Sequence, residues 1–241
     1  MQIIRADDYQ SWLYSNDGDL VAVDPWLTKT QVFPKLSWLL YRESTNQAFL
    51  VKNNLIAKVT HLIITAHFSD HLDAESLSMF DLNIPIYTTH EASKSIAALG
   101  FKNIKKVQPG QDFQLNSLNL KIFEAGKPYN RTTFAYSISS NKAKVFHEPH
   151  MHNPMNEIDN VDACILTVDK VTVLGLVQVS MGLNQAKSTL VNLDARYLLS
   201  TGIAPRRTKG LISFLLSIKE SYHTNNGMPS VCQNVGDSLL L

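Results

Sequence analysis

A surplus of charge of either sign is missing from this chain, and with it a class of partners. The 241 residues carry 22 Lys+Arg against 21 Asp+Glu, a formal charge of +1. A nucleic-acid footprint or an acidic tail needs a marked excess of one sign, so neither is expected. Cysteine is scarce as well: Cys164 and Cys232 stand far apart in unlike contexts. That argues against a disulfide framework and suits a reducing compartment. Cys164, inside "DACILTV", reads as a small buried thiol. The opening "MQIIRADDYQSW" has no basic segment followed by a long apolar stretch, so no signal peptide is visible. The most apolar later run, "VTVLGLVQVSMGL", is too short and too broken by Gly and polar residues to span a bilayer. A soluble, cytoplasmic chain without a membrane partner is expected. Also lacking are a Gly-x-Ser-x-Gly elbow, a Gly-rich phosphate loop and a cysteine in an activated-looking loop, which removes support for serine or cysteine catalysis and for nucleotide binding.

What is present is enough apolar residue for a large core: 44% hydrophobic against 18% charged. One domain spanning residues 1–241 is expected. "QIIRA", "SWLYS" and "LVAVD" read as strands, the last two joined across "NDGD" as a hairpin. Pro25, in "DPWL", ends the third strand. Residues 28 to 57 read as irregular, with "KLSWLLYRE" as a short helix. Strands then alternate with helices. "VTHLIITA" leads into a helix in "HLDAESLSMF", and "IPIYTT" into "HEASKSIAALG", closed by Gly100. "KKVQPGQDFQL", "LNLKIFEAG", "TFAYSISS" and "AKVFHEP" read as strands. In the second half "DACILTV" and "RYLLSTG" are strands, while residues 184 to 193 and "KGLISFLLSIKESY" are helices. The tail from Asn225 is a loop with a short closing strand. Two comparable halves of this kind predict two sheets packed together with helices outside.

Three stretches, in order, carry a resemblance: "VAVDPWL", then "VTHLIITAHFSDHLD", then "VFHEPH". Together they resemble the metallo-β-lactamase superfamily, over about residues 1 to 222. The first is similar to the family's strand ending in Asp-Pro-Trp, and the second to the strand and loop bearing His-x-His-x-Asp-His. The third stands where the family usually places Gly-Asp. The resemblance implies an α+β fold, a four-layer αββα sandwich of two mixed sheets flanked by helices, with any site at the sheet edges between the halves.

The family's chemistry needs one or two cations, usually zinc, to polarise substrate and acidify bound water. Laid over this chain, the motif's first two imidazoles fall on Ala66 and Phe68, which cannot bind metal, while Asp70 and His71 are retained. His67, between the lost positions, should face elsewhere and is read as structural, as is His61. The family's later histidines have no counterpart in "EAGKPYNRTTFAY", where Lys127 or Asn130 takes the place, or in "IAPRRTKG". Lys127 would substitute a fixed charge for the cation. Arg206, Arg207 and Lys209 would form an anion contact ahead of a helix. Against these losses, "FHEPHMHNP" packs His147, Glu148, His150 and His152 together, though not all can face one point.

The leading expectation is a hydrolase-like protein with a reduced or rearranged site, acting on a small ester, lactone, amide or phosphoester. Asp70, His71, Glu148 and His150 would hold one zinc, iron or manganese ion, or none. Asp70, His71 and Glu148 carry the chemistry; without metal, Glu148 and His71 would be a proton-transfer pair. For Asp70 a second role stands open, capping the helix that follows, with His71 held by a neighbouring carbonyl. Asp24 is expected to orient the site through backbone N–H groups, and Trp26 to be core or pocket wall. The rival expectation is a metal-free protein binding a small ligand or a partner in the old cleft, favoured by the apolar Ala66 and Phe68.

Overall fold

The computed structural model describes residues 1–33, 36, 38–221 and 231–241. Two mixed sheets face each other. The first runs, in spatial order, Ser238–Leu240, Gln2–Arg5, Trp12–Asn16, Asp19–Val23, His61–Ile64, Ile86–Thr88 and Ile104–Lys106. Its first four strands are antiparallel and its last four parallel, Asp19–Val23 being the hinge between the two arms. The second runs Tyr197–Thr201, Ala163–Thr167, Lys144–Glu148, Phe134–Ser139, Leu118–Glu124 and Asp112–Leu115. Here the parallel arm ends at Lys144–Glu148 and the antiparallel arm continues from it. Strands of a parallel arm are covered on both faces, which is why "HLII" and "ACILT" are buried at every position.

Three apolar layers make this the four-layer αββα sandwich. Between the sheets lie Trp12, Tyr14, Ile63, Ile122, Tyr136 and Ile165 with their neighbours. Outside the first sheet, Leu62, Ile64 and Ile86 pack on Leu77, Phe80, Ala92 and Ile96. These last come from the short helix Ala74–Leu77, the turn after it and the helix His90–Ala98. Outside the second sheet, Phe146, Cys164 and Leu166 pack on Ala186 and Leu190 of the helix Leu183–Asn192. No helix among the described residues is long and apolar enough to cross a membrane.

Several expected elements differ. The helix expected in "HLDAESLSMF" is confined to Ala74–Leu77, and its cap is Asp73, whose side chain accepts from the Ser76 N–H. The helix expected in "KGLISFLLSIKESY" is a 3-10 turn over Leu211–Leu215 followed by the strand Leu216–Lys219. That strand pairs with Lys170–Val173, which in turn pairs with Val177–Ser180, giving a small third sheet. A helix beginning at Gly210 is blocked: its φ is +120°, and it packs against the Leu39 carbonyl. In "KLSWLLYRE" the described part contains the strand Leu40–Glu43, paired with Thr30–Phe33, because a strand partner is within reach. The tail's closing strand is present as Ser238–Leu240; its expected loop, residues 225 to 230, lies outside the described residues.

One carboxylate ties the two sheets at the far edge. Asp19, in the first sheet, accepts from the Ser117 N–H (2.7 Å), the Ser117 hydroxyl (2.6 Å) and the Asn116 amide (2.8 Å) in the turn between two strands of the second. Burial pushes this carboxyl up, but those hydrogen bonds outweigh it and hold it below the ordinary value. A depressed folded value means that the stabilisation is present above the unfolded value of about 3.9 and lost as pH falls through the folded one. Asp19→Ala is expected to cost about 2 kcal/mol in denaturant unfolding. The wild type should lose stability below about pH 4 more steeply than Asp19→Asn does.

Candidate functional site

The cleft is built at the carboxyl ends of the parallel strands of both sheets, where loops diverge and leave room for a ligand. Asp24 follows Asp19–Val23, and residues 65–71 follow His61–Ile64. Opposite them, Glu148 ends Lys144–Glu148 and leads into Pro149 and His150, while Thr167 and Gly202 end or follow the neighbouring strands. The two segments that had to meet do meet. An isolated bridge between Ala66 and Thr133 holds the first loop to the second sheet. The His71 and His150 rings stack with centroids 4.7 Å apart at 28°.

Asp24 organises the first loop. Its backbone is left-handed (φ +43°), and its carboxylate accepts from the Thr65 N–H (2.8 Å), the Thr65 hydroxyl (2.6 Å) and His71 Nδ1 (2.7 Å). His71 is therefore held by a carboxylate and by Thr65 rather than by a neighbouring carbonyl. Asp70 does not cap the helix; its carboxylate lies 3.7 Å from His71 Nε2, and its carbonyl accepts from the Gln10 amide. Burial pulls the His71 imidazole down, but Asp70, Asp24 and Glu148 more than offset it, leaving it above its ordinary value. Such a group contributes stability below the unfolded value of about 6.5 and loses it as pH rises through the folded value.

Around this imidazole burial shifts the remaining groups towards their neutral forms. Burial pushes Glu148 up to about 8, although backbone N–H groups of His150, Met151 and Gly126 donate to it. Burial, followed by the charge on His71, lowers His147 to about 3 and His150 well below the usual range. The three histidines of "HEPHMH" take three directions. His147 Nδ1 bonds the Tyr136 hydroxyl (2.7 Å), His150 stacks on His71 and Tyr129, and His152 meets the edge of Phe146.

Whether these donors suit a metal is decided by geometry. Buried atoms without a hydrogen-bond partner do occur here: His71 Nε2, His147 Nε2, Glu148 Oε2 and His150 Nδ1. Metal ligands must converge, however. Among the described residues no three His, Cys, Asp or Glu side chains are grouped so as to hold a metal ion. Asp70 and His71 are paired, but Glu148 and His150 do not complete a set with them, so the four-ligand expectation does not fit this arrangement.

The cleft itself is a cavity of about 650 Å³. Tyr9, Phe33, Phe68 and Tyr129 supply aromatic wall, and Leu40, Val171, Val179 and Leu216 aliphatic wall. Asp70, His150, Gln10 and Thr167 supply polar points. Phe68 stands in the cavity wall, edge-on to Tyr129 and His150. His67 is exposed and lines the same wall against Phe68. His61 is buried beside Thr60, and Trp26 is core. Lys127 is exposed and does not line the cavity; Asn130 is half-buried. The expected anion contact is already occupied: Arg207 pairs with Asp8 (2.8 Å) and Arg206 with Glu220 (3.9 Å). Three participants escaped the sequence reading: Thr65, Tyr129 and the buried Arg42. Arg42 lies over Tyr9 and donates to the carbonyls of Ala204 (2.7 Å) and Ile203 (2.9 Å), bracing the cavity wall. Only Thr65, directly ahead of the motif, carried a signal that could have been used.

Comparison with known proteins places this geometry. The model of the "Beta-lactamase superfamily domain" family matches residues 4–201. A possible metal-dependent hydrolase from Veillonella parvula is similar in fold at 13% identity, with TM-score 0.64 and 88% of each chain covered. An isothiocyanate hydrolase from Delia radicum gut bacteria is similar at 16% identity, with TM-score 0.65 and 85% of each chain covered. A metallo-beta-lactamase fold protein from Bacillus subtilis gives TM-score 0.61 at 15% identity, covering 83% of this chain and 85% of its own. No curated protein sequence matches the chain.

The Asp24–His71 contact is testable by itself. Asp24→Asn leaves the shape but removes the buried negative charge facing the imidazole, and about 3 kcal/mol of unfolding free energy should be lost. NMR titration should find the His71 imidazole at a lower value than in the wild type; an unchanged titration would show that Asp24 does not set it.

Proposed function

Since the chain belongs to the beta-lactamase superfamily, we propose that it uses that family's cleft to bind a small, largely apolar organic molecule without the family's metal centre. The observation that carries this reading is Phe68. It occupies a motif position for a metal-binding imidazole, and its ring instead forms part of the wall of a 650 Å³ cavity. A volume of this size, mostly apolar and with a few convergent polar groups, is the ordinary form of a small-molecule site. Asp70 and the rim of His150 would orient the ligand, while Tyr9 and Tyr129 would cover its flat faces. Asp24, Thr65 and His71 keep the loop in place and do not need to touch the ligand.

A second reading keeps hydrolysis of a small ester, lactone, amide or phosphoester. It is favoured by the unpartnered His71 Nε2, 3.7 Å from Asp70, and by the buried Glu148 Oε2. Perturbed, buried titratable groups beside a cavity are the usual raw material of acid–base chemistry.

Elemental analysis of untagged protein, together with titration of the neutral dye N-phenyl-1-naphthylamine, separates the two. The expected result is less than about a tenth of an equivalent of zinc, iron or manganese, and a saturable fluorescence rise. Thr208→Trp, which places an indole in the cavity wall, should weaken dye binding by at least about tenfold. One equivalent of tightly held metal, or p-nitrophenyl acetate hydrolysis abolished by His71→Ala and Glu148→Gln, would favour the second reading. Dye binding unaffected by Thr208→Trp would overturn the first.

A further inference from the structure

The densest exposed apolar surface lies at one corner, where the small third sheet meets the turn Leu211–Leu215. Of the thirteen large hydrophobic side chains exposed among the described residues, seven are here: Trp38, Leu174, Leu176, Val177, Leu211, Phe214 and Leu215. Leu176 and Phe214 are 85% and 86% exposed, close to the limit for a folded chain. Backbone hydrogen bonds hold the three contributing segments together. The Leu174 N–H donates to the Leu215 carbonyl (2.8 Å), and the Leu211 N–H to the Trp38 carbonyl (3.1 Å). Scattered apolar residues need no explanation, but a concentration of this kind marks a surface that is covered in use.

The charges on the two segments behind the tip are all of one sign, flanked by the buried Asp169 and by Glu220, which pairs with Arg206. Residues 170–180 and 209–219 contain Lys170, Lys209 and Lys219, all exposed, and no Asp or Glu. Lys170 and Lys219 are moreover direct cross-strand partners. Like charges opposite each other weaken a strand pair unless an anion lies across them. Lys170 and Lys219 lie three residues, about 10 Å, down the strands from the Val173–Leu216 pair, so the arrangement asks for a partner that is apolar at the tip and anionic on the order of 10 Å or more behind it.

We propose that this corner docks on the surface of an anionic phospholipid bilayer, with the Leu176 and Phe214 tip among the acyl chains and the three lysines at the headgroups. A bilayer offers hydrocarbon and negative charge in that order of depth, and both terms add to binding. A second copy of the chain fits less well, because a two-fold contact through the same patch would bring the lysines of one copy towards those of the other. Sequence criteria for spanning a membrane do not bear on such a surface contact. The cavity shares walls with this corner through Val171 and Leu216, so a docked protein would present its cleft close to the lipid. The docking holds whether or not that cleft is filled.

Vesicle flotation of the full chain tests it. Binding is expected to phosphatidylcholine vesicles containing phosphatidylglycerol. It should weaken with added salt and with phosphatidylcholine alone. Leu176→Asp combined with Phe214→Asp should lower the bound fraction by at least about tenfold, without changing the melting temperature, since both side chains are solvent-exposed. Lys170→Gln with Lys219→Gln should remove the preference for anionic lipid while leaving the fold intact. No binding to the mixed vesicles, or equal binding by the Asp variant, would overturn the proposal. So would a dimer in light scattering that the Asp variant dissociates, or capture of an acidic protein by a chain that ignores vesicles.

Discussion

Everything in the cleft depends on one buried carboxylate that accepts three hydrogen bonds. Asp24 sits where the antiparallel and parallel arms of the first sheet meet, in a left-handed conformation that turns its side chain across the end of the neighbouring strand. By accepting from Thr65 and His71 it fixes the direction of the loop through residues 66–71, and thereby where Phe68 and Asp70 stand. A carboxylate removed from water is costly unless its lone pairs are used. The loop is thus as fixed as the core beneath it. What lies above that framework is free to change its chemistry. In this chain positions 66 and 68 carry the apolar Ala66 and Phe68, above the contacts that Asp24 makes with Thr65 and His71.

The second sheet answers with its own buried polar line. The Tyr14 hydroxyl meets that of Tyr136 (3.3 Å), which meets His147 Nδ1 (2.7 Å), so a chain of contacts crosses from the first sheet to the base of the loop bearing Glu148 and His150. Gly126 is needed beside it, because a Cβ there would stand 2.5 Å from the Met151 carbonyl and 2.6 Å from that of His152. The cleft is consequently preorganised on both walls. Its polar groups border a volume walled chiefly by aromatic and aliphatic side chains.

Much of this was legible in the residues. Runs such as "LVAVD", "HLIIT" and "ACILTV" specify buried parallel strands, and the ordered motifs locate the loops at the strand ends, so the architecture and the meeting of the two segments could be read. The misreadings share a cause. In "LLSIK" a period-two pattern, with Leu216 and Ile218 partly buried and Ser217 and Lys219 exposed, is masked by the apolar residues just before it. Asp70 and Asp73 both precede the helix, and sequence does not tell which one the first turn will use; the helix starts late enough to choose Asp73. The roles of Arg42 and Tyr129 depend on contacts between segments far apart in the chain, which local pattern does not encode. Candidate ligands were recognisable as residue types, but the stacking of His71 on His150 is a matter of orientation that local pattern does not carry.

The first sheet is closed by partners 236 positions apart, since Ser238–Leu240 pairs along Gln2–Arg5. During synthesis the strand Gln2–Arg5 emerges early, with its other edge taken at once by the local hairpin. Its open edge must then wait until the strand Ser238–Leu240 has left the ribosome. An unpaired edge invites pairing with other chains. The late-arriving strand Ser238–Leu240 is therefore the piece on which escape from aggregation in the newborn protein turns.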